Sequence, residues 1–279
     1  MGCVRELSTG EAFRSVYSIY FHHFFVLFGT YIIPLIPAIA FSAAIQGARH
    51  PAWGYLDFVV GSVMGRFAFG GVTLLIGDLC ARNLPSLSRC LRKAFGRDAY
   101  RLAGVSVLQL LLIVIPALSI GCLAALTVVA DAAVRGRAWS ANLEVWFWGA
   151  VLTSTLLGGT LIMLRYGMAV TVVVLEGRSV FEAMRRSKFL TRGFLWHMLR
   201  PGLALAVVQS ALLVSGVLIL AFAMGDSAAK PPWWLGPATT LFLYALFLPF
   251  CILFVVLYFD LRARKEAYDA RALSEDLKR

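Results

Sequence analysis

"LIMLRYGMAVTVVVLEGRSVFEAMRRSK", residues 161–188, decides the fold. An apolar run long enough for a helix to cross a bilayer carries Arg165 inside it and closes on the acid Glu176. It then passes into a segment dense in base, with Arg178, Arg185 and Arg186. Hydrocarbon has no water to bond an exposed backbone, so a long apolar run must be helical, and its charges are pushed to the ends. The same pattern spreads over the chain. Of 279 residues 60% are hydrophobic and only 15% charged, against roughly 25% charged in soluble domains, and the mean hydropathy is +0.79. Six runs have spanning length: residues 24–44, 56–79, 103–130, 145–175, 203–224 and 238–259. The expected fold class is all-α, a single polytopic bundle of six transmembrane helices over residues 1–279, with no separate soluble domain.

The net charge of +11 would suggest nucleic acid in a soluble protein, but the bases alternate by loop. With the N-terminus inside, the inner segments hold two bases before the first span and six in each of residues 82–101, 178–200 and 262–279. The outer loops hold four: Arg49, Arg135, Arg137 and Lys230. The positive-inside rule therefore places both termini in the cytoplasm, and phospholipid rather than nucleic acid is the expected partner. Trp53, Trp139, Trp146, Trp148, Trp233 and Trp234 fall near the outer ends of spans, where amphipathic rings favour the interface. No cleavable signal peptide is expected, because the first apolar run is long and follows a partly acidic segment. Glu6 stands where a myristoylation signal wants Ser or Thr. Cys3, Cys80, Cys90, Cys122 and Cys251 show no paired or metal-like spacing.

Three ungapped segments repeat: "STGEAFRS" from Ser8, "SLSRCLRK" from Ser86 and "SVFEAMRR" from Ser179, with matching arginines Arg14, Arg92 and Arg185. Each precedes two spans, so the chain reads as three parallel units of amphipathic helix plus helical hairpin, at about residues 8–79, 86–175 and 179–259, followed by a cytoplasmic tail at 260–279. In the middle copy Leu87, Cys90, Leu91, Ala94 and Phe95 share one face, and Arg89, Arg92 and Lys93 another. Ser8 with Glu11 and Ser179 with Glu182 form capping boxes; Arg89 takes the acid's place in the middle copy. These helices are expected to lie on an anionic inner leaflet through Arg14, Arg89, Arg92, Lys93, Arg185 and Arg186, or to dock a cytosolic protein.

The even-numbered spans end on an acid: Asp78, Glu176 and Asp260. Arg82 and Arg264 follow two of them by four residues, a spacing that predicts ion pairs fixing the depth of the helix end. Arg66 and Arg165 lie twelve and eleven residues before their acids, about 17 Å from the boundary at the helical rise. An arginine at mid-membrane costs roughly 2.5–3.5 kcal/mol, and no acid occupies the centre of any span. Three compensations are open: carbonyls freed by Pro34, Pro37, Pro116 or Pro249, a wet cavity, or an anionic ligand. Ser62, Gly70 and Thr73 share the face of Arg66, and Gly61 with Gly65 predicts a strip of close helix contact.

Catalytic motifs are absent: no HExxH, P-loop, GxSxG or paired membrane aspartates. His22, His23, His50 and His197 fall near interfaces, and Gln109 and Gln209 read as bonds between helices. No cofactor and no metal is expected. "VVVLEGRSVFEAMRRSKFLTRG" (residues 172–193) and "LYFDLRARKEAYD" (residues 257–269) resemble the membrane domain that precedes some bacterial glycerophosphodiester phosphodiesterases, and related stand-alone six-span inner-membrane proteins. The resemblance implies an all-helical bundle of the bacterial inner membrane. It implies no enzyme activity, because the twenty residues after Phe259 are too few for a barrel of about 250. The function expected is non-catalytic binding of lipid or a small anionic or amphipathic ligand at Arg66 and Arg165, in a transport-related or accessory role. A membrane-embedded lipid enzyme and a scaffold for a cytosolic partner are the alternatives.

Overall fold

The computed structural model describes residues 5–45, 52–81, 86–96, 98–135, 149, 153, 158–224, 235–268 and 272–273. Among them every regular element is helical. In chain order these are α1 (Thr9–His22), α2 (Phe24–Ile32), a 3-10 turn (Ile33–Leu35), α3 (Ile36–Ile45), α4 (Ala52–Cys80), α5 (Leu87–Phe95) and α6 (Ala99–Arg135). There follow α7 (residues 158–166), α8 (Ala169–Glu176), α9 (Val180–Thr191), α10 (Leu195–Met224) and α11 (Leu235–Glu266). Six segments are long and apolar enough to cross a membrane: Phe24–Ile45, Val59–Cys80, Ala99–Pro116, Gly158–Glu176, Leu195–Leu220 and Thr239–Glu266. That architecture is the multi-pass bundle the apolar runs predict. Five of the six tryptophans read as outer anchors, Trp139, Trp146, Trp148, Trp233 and Trp234, lie outside the described residues, as do Arg82, His50 and Cys3.

The short basic helices do not lie apart from the bundle. Leu7 N–H, just before α1, donates to Asp260 at 2.6 Å, and Tyr20 Oη, near its end, donates to the Ala245 carbonyl at 3.4 Å. The thirteen-residue step from Leu7 to Tyr20 thus runs antiparallel beside the fifteen-residue step from Ala245 to Asp260, each a rise of about 20 Å. α5 folds back along α4 in the same sense, from the Arg89–Asp78 pair at 2.8 Å to the Phe95 ring stacked on Phe67 at 5.0 Å. α9 folds back along α8, with Arg186 on Glu176 and Ser187 on the Arg165 carbonyl. An amphipathic pattern demands a cover for its apolar face, and for these helices neighbouring protein supplies it. Ala12, Val16 and Ile19 of α1, Cys90 and Ala94 of α5, and Ala183, Met184 and Leu190 of α9 are buried.

The collar of short helices sets where the core sits. Toward the acids, residues 67–78 of α4 and 167–175 of α8 are buried without interruption, and residues 248–261 of α11 are buried except for Phe250 and Phe254. Toward the other end, residues 59–66, 158–166 and 239–247 are all exposed or half-buried. α4 is the hub of the bundle, touching α2, α3, α5, α6, α8 and α11, whereas α10 rests chiefly on α1 and α11.

The fourth span is broken. Gly167 and Met168 form a turn between α7 and α8. A Cβ on Gly167 would lie 2.4 Å from the Met163 carbonyl and 2.6 Å from the Phe254 ring, so only glycine fits this close approach. The carbonyls released at the break are taken by side chains. Gln109 Nε2 donates to the Tyr166 oxygen at 2.6 Å, and Ser187 Oγ and Thr191 Oγ1 donate to that of Arg165 at 3.0 and 3.4 Å. Broken helices are tolerated in a membrane where neighbours satisfy the freed backbone in this way.

Candidate functional site

Above the packed half of the bundle opens a cavity of about 640 Å3. Its floor is formed by Arg66 and Phe69 of α4, Tyr31 of α2, Cys251 and Phe254 of α11, and Gly167 at the helix break. Its walls rise along α3, α4 and α11 past Gly65, Ser62 and Phe247 to Ser42, Asp57 and Thr240. Those last three residues stand near the ends of their helices that lie away from Asp78 and Asp260, so the cavity runs from mid-bundle toward the end opposite the acids. Small residues make the space: a Cβ built on Gly61 or Gly65 meets nothing within 4 Å. The expected Gly61–Gly65 contact strip is therefore corrected, because a small-residue stripe gives close contact only where a second helix fills the room it leaves.

Arg66 turns its guanidinium into this cavity. Its one hydrogen-bonding partner among the described residues is soft, the Met163 sulfur, 3.9 Å from Nη2. No carboxylate lies within ion-pairing distance among the described residues. Of the three compensations left open by the sequence, proline-freed carbonyls are not the one used. The cation instead faces a void walled by aromatic rings, a setting in which the guanidinium N–H donors not turned to Met163 remain available to a planar anion.

Arg165 does not join it. Its side chain is exposed, and only its backbone oxygen is engaged, by Ser187 and Thr191. The two arginines are matched in distance from their acids but occupy different surroundings, and the cavity is lined by Arg66 alone of the pair.

The three span-ending acids make a second, separate set of contacts. Asp260, fully buried, accepts from Leu7 N–H at 2.6 Å, Arg264 Nε at 3.0 Å and His197 Nε2 at 2.8 Å, joining α1, α10 and α11. Glu176 accepts from Arg178 Nε at 2.6 Å, Arg186 Nε at 3.1 Å and Tyr258 Oη at 2.9 Å. Arg186 continues to Glu266, which also pairs with Arg262, and Arg262 donates back to Tyr258 at 3.0 Å, closing a ring over α8, α9 and α11. Asp78 is held by Arg89, the expected partner Arg82 lying outside the described residues, and the burial of Cys90 beside it, together with the Asp78 charge, pushes that thiol up to about 11. Of the basic-helix residues, Arg89 and Arg186 thus serve acids of the bundle, while Arg14, Arg92 and Arg185 are exposed and Lys93 is half-buried.

Sequence reasoning missed Asp57, His197, Tyr258, Arg262, Glu266 and the break at Gly167. Two signals were in reach: Arg262 and Glu266 are four residues apart, and Asp57 lies just inside the run assigned to the second span. His197 carries none, since its acceptor is 63 residues away. No protein-family model, no curated protein and no solved structure matches the chain.

Proposed function

We propose that this is a non-catalytic, multi-pass protein of the bacterial inner membrane that binds an anionic amphiphile in the cavity floored by Arg66, in a transport-related or accessory role. One observation carries the reading: a mid-span arginine with no carboxylate partner among the described residues opens into a space of ligand size. A guanidinium held away from water is costly to leave uncompensated, and a phosphate or carboxylate would supply the missing charge and the planar acceptor pair. The interrupted fourth span supports it, because discontinuous helices in membrane proteins border the sites where polar ligands are held. With both termini read as cytoplasmic from the alternation of basic loops, the cavity belongs to the outer half of the bilayer and the packed acid-bearing half to the inner.

Phospholipid also fits the outside of the collar. Exposed Phe181, Phe189 and Trp196 lie in sequence among Arg185, Lys188, Arg192 and Arg200, the mixture of rings and bases that suits the headgroup level. The test uses the full chain in detergent with added phosphatidylglycerol, read by native mass spectrometry. Arg66→Leu should reduce retention roughly tenfold or more, the worth of a charge-assisted pair, whereas Arg165→Leu should leave it unchanged. Equal retention by Arg66→Leu and the wild type would remove the cavity as a binding site.

A further inference from the structure

The cavity is bipolar. Among the described lining residues Arg66 is the one base and Asp57 the one acid, and they do not neutralise each other. Both belong to α4, nine residues apart, a rise of about 13 Å along the helix. Ser62 lies between them on the same helix. Asp57 Oδ2 accepts from Ser42 Oγ at 3.2 Å, while Oδ1 has no partner among the described residues. Along α11 the lining passes from Thr240 through Leu243, Tyr244 and Phe247 to Phe250, with the Tyr244 ring 6.1 Å from that of Tyr31 on the floor. A carboxylate on a largely apolar wall is a ready acceptor for a donor that arrives with the ligand.

Resting on the assignment of Arg66 as the anion pole, we infer that Asp57 is a specificity-determining residue that selects an amphiphile carrying both an acidic group and a primary ammonium group. The acidic group takes the Arg66 fork. The ammonium donates to Asp57 Oδ1, with Ser42 holding the carboxylate through Oδ2. A ligand with the acid but no amine gains at one pole and meets like charge at the other, so discrimination comes as much from repulsion as from attraction. The phosphoethanolamine grouping has this chemistry, whether as the headgroup of a phospholipid or as the free compound.

The experiment offers the full chain equimolar phosphatidylethanolamine and phosphatidylglycerol with identical acyl chains, and reads the bound ratio by native mass spectrometry. Free phosphoethanolamine is added as competitor in a parallel arm. The wild type should favour phosphatidylethanolamine by about tenfold, the discrimination of one charge-assisted hydrogen bond. Asp57→Asn should bring the ratio near one, lowering the amine lipid and raising phosphatidylglycerol, and Asp57→Glu should restore the preference in part. Displacement by the free compound would make the source a soluble zwitterion; its failure to displace would make the source a lipid; either supports the inference. A preference unaltered in Asp57→Asn, or a wild type that favours phosphatidylglycerol, would overturn it while leaving Arg66 as the anion site. Undiminished binding of both lipids by Arg66→Leu would instead remove the site itself. Each variant's unfolding midpoint is taken beside the wild type, and Ser215→Ala, on the exposed face of α10 and not among the cavity's described lining residues, should reproduce the wild-type ratio.

Discussion

The same three helices behave differently at their two ends. In α4, residues 67–78 are buried and residues 59–66 are not, and α8 with α7, and α11, change over at the corresponding depth. Glycine shows what the difference means. At the acid-bearing end Gly70 lets Leu102 come within 3.1 Å of where a Cβ would stand, and Gly104 does so for Val180 at 2.8 Å. At the other end Gly61 and Gly65 open onto nothing within 4 Å. One residue type thus serves close packing in one half and empty space in the other. The packed half is where the buried contacts concentrate, and the open half is where the cavity lies.

The sharpest way to break this division is to attack the packed half through Asp260. Its oxygens accept from Leu7, Arg264 and His197, so Asp260→Ala orphans a backbone N–H and two side-chain donors at once. Removing one partner from a buried charged group costs about 3–5 kcal/mol. The expected result is a large fall in the unfolding midpoint of the detergent-solubilised protein and loss of the α1 docking, read as new protease sensitivity after Arg14. If Asp260→Ala melts with the wild type, the acid-bearing end is not the stability centre.

A paired glycine experiment comes next in size. Gly104→Leu forces a side chain against Val180 and should cost about 1–3 kcal/mol, the usual penalty of overpacking. Gly65→Leu places the same side chain in the cavity and should alter stability by no more than about 0.5 kcal/mol, while abolishing the lipid retention that depends on Arg66. Equal stability losses at the two positions would erase the distinction between the halves.

How far this was legible in the sequence differs by half as well. Apolar run lengths disclosed the spans, because hydrocarbon leaves the backbone no alternative to helix. Four-residue spacing disclosed Asp260–Arg264, and the Ser8–Glu11 box disclosed the start of α1. The collar was only half legible: periodicity says that one face of α5 is covered, and cannot say whether lipid or α4 covers it. Arg89 on Asp78 and Arg186 on Glu176 are tertiary choices that no spacing rule encodes. The cavity was least legible. Empty space has no residues of its own, and Gly61, Ser62 and Gly65 read equally well as a contact strip. Arg66 was conspicuous because it breaks the solvent rule of its span; Asp57 was not, because acids are common at helix ends.

The smallest effect concerns how the collar is started, and it has a defined pH dependence. Backbone and side-chain hydrogen bonds from Ser8 hold the Glu11 carboxyl below its usual range, with Ser8 N–H donating to Oε2 at 2.9 Å and Glu11 N–H donating to Ser8 Oγ at 3.3 Å. A carboxyl whose value is lowered on folding binds its proton less tightly in the native state. Its stabilising contribution is therefore complete above the ordinary value of 4.5 and disappears as pH falls through the lowered one. Glu11→Gln keeps the shape and removes the charge that the N-terminus of α1 favours. The variant should melt slightly below the wild type at neutral pH, and the two should converge as the pH drops below the carboxylate range. Because Ser8 adjoins Leu7, and Leu7 is bonded to Asp260, Glu11→Gln should add little to the large defect of Asp260→Ala: once the docking of α1 is lost, its cap has nothing left to position. Full additivity of the two changes, measured in a double-mutant cycle, would show that α1 starts independently of the packed half it wraps.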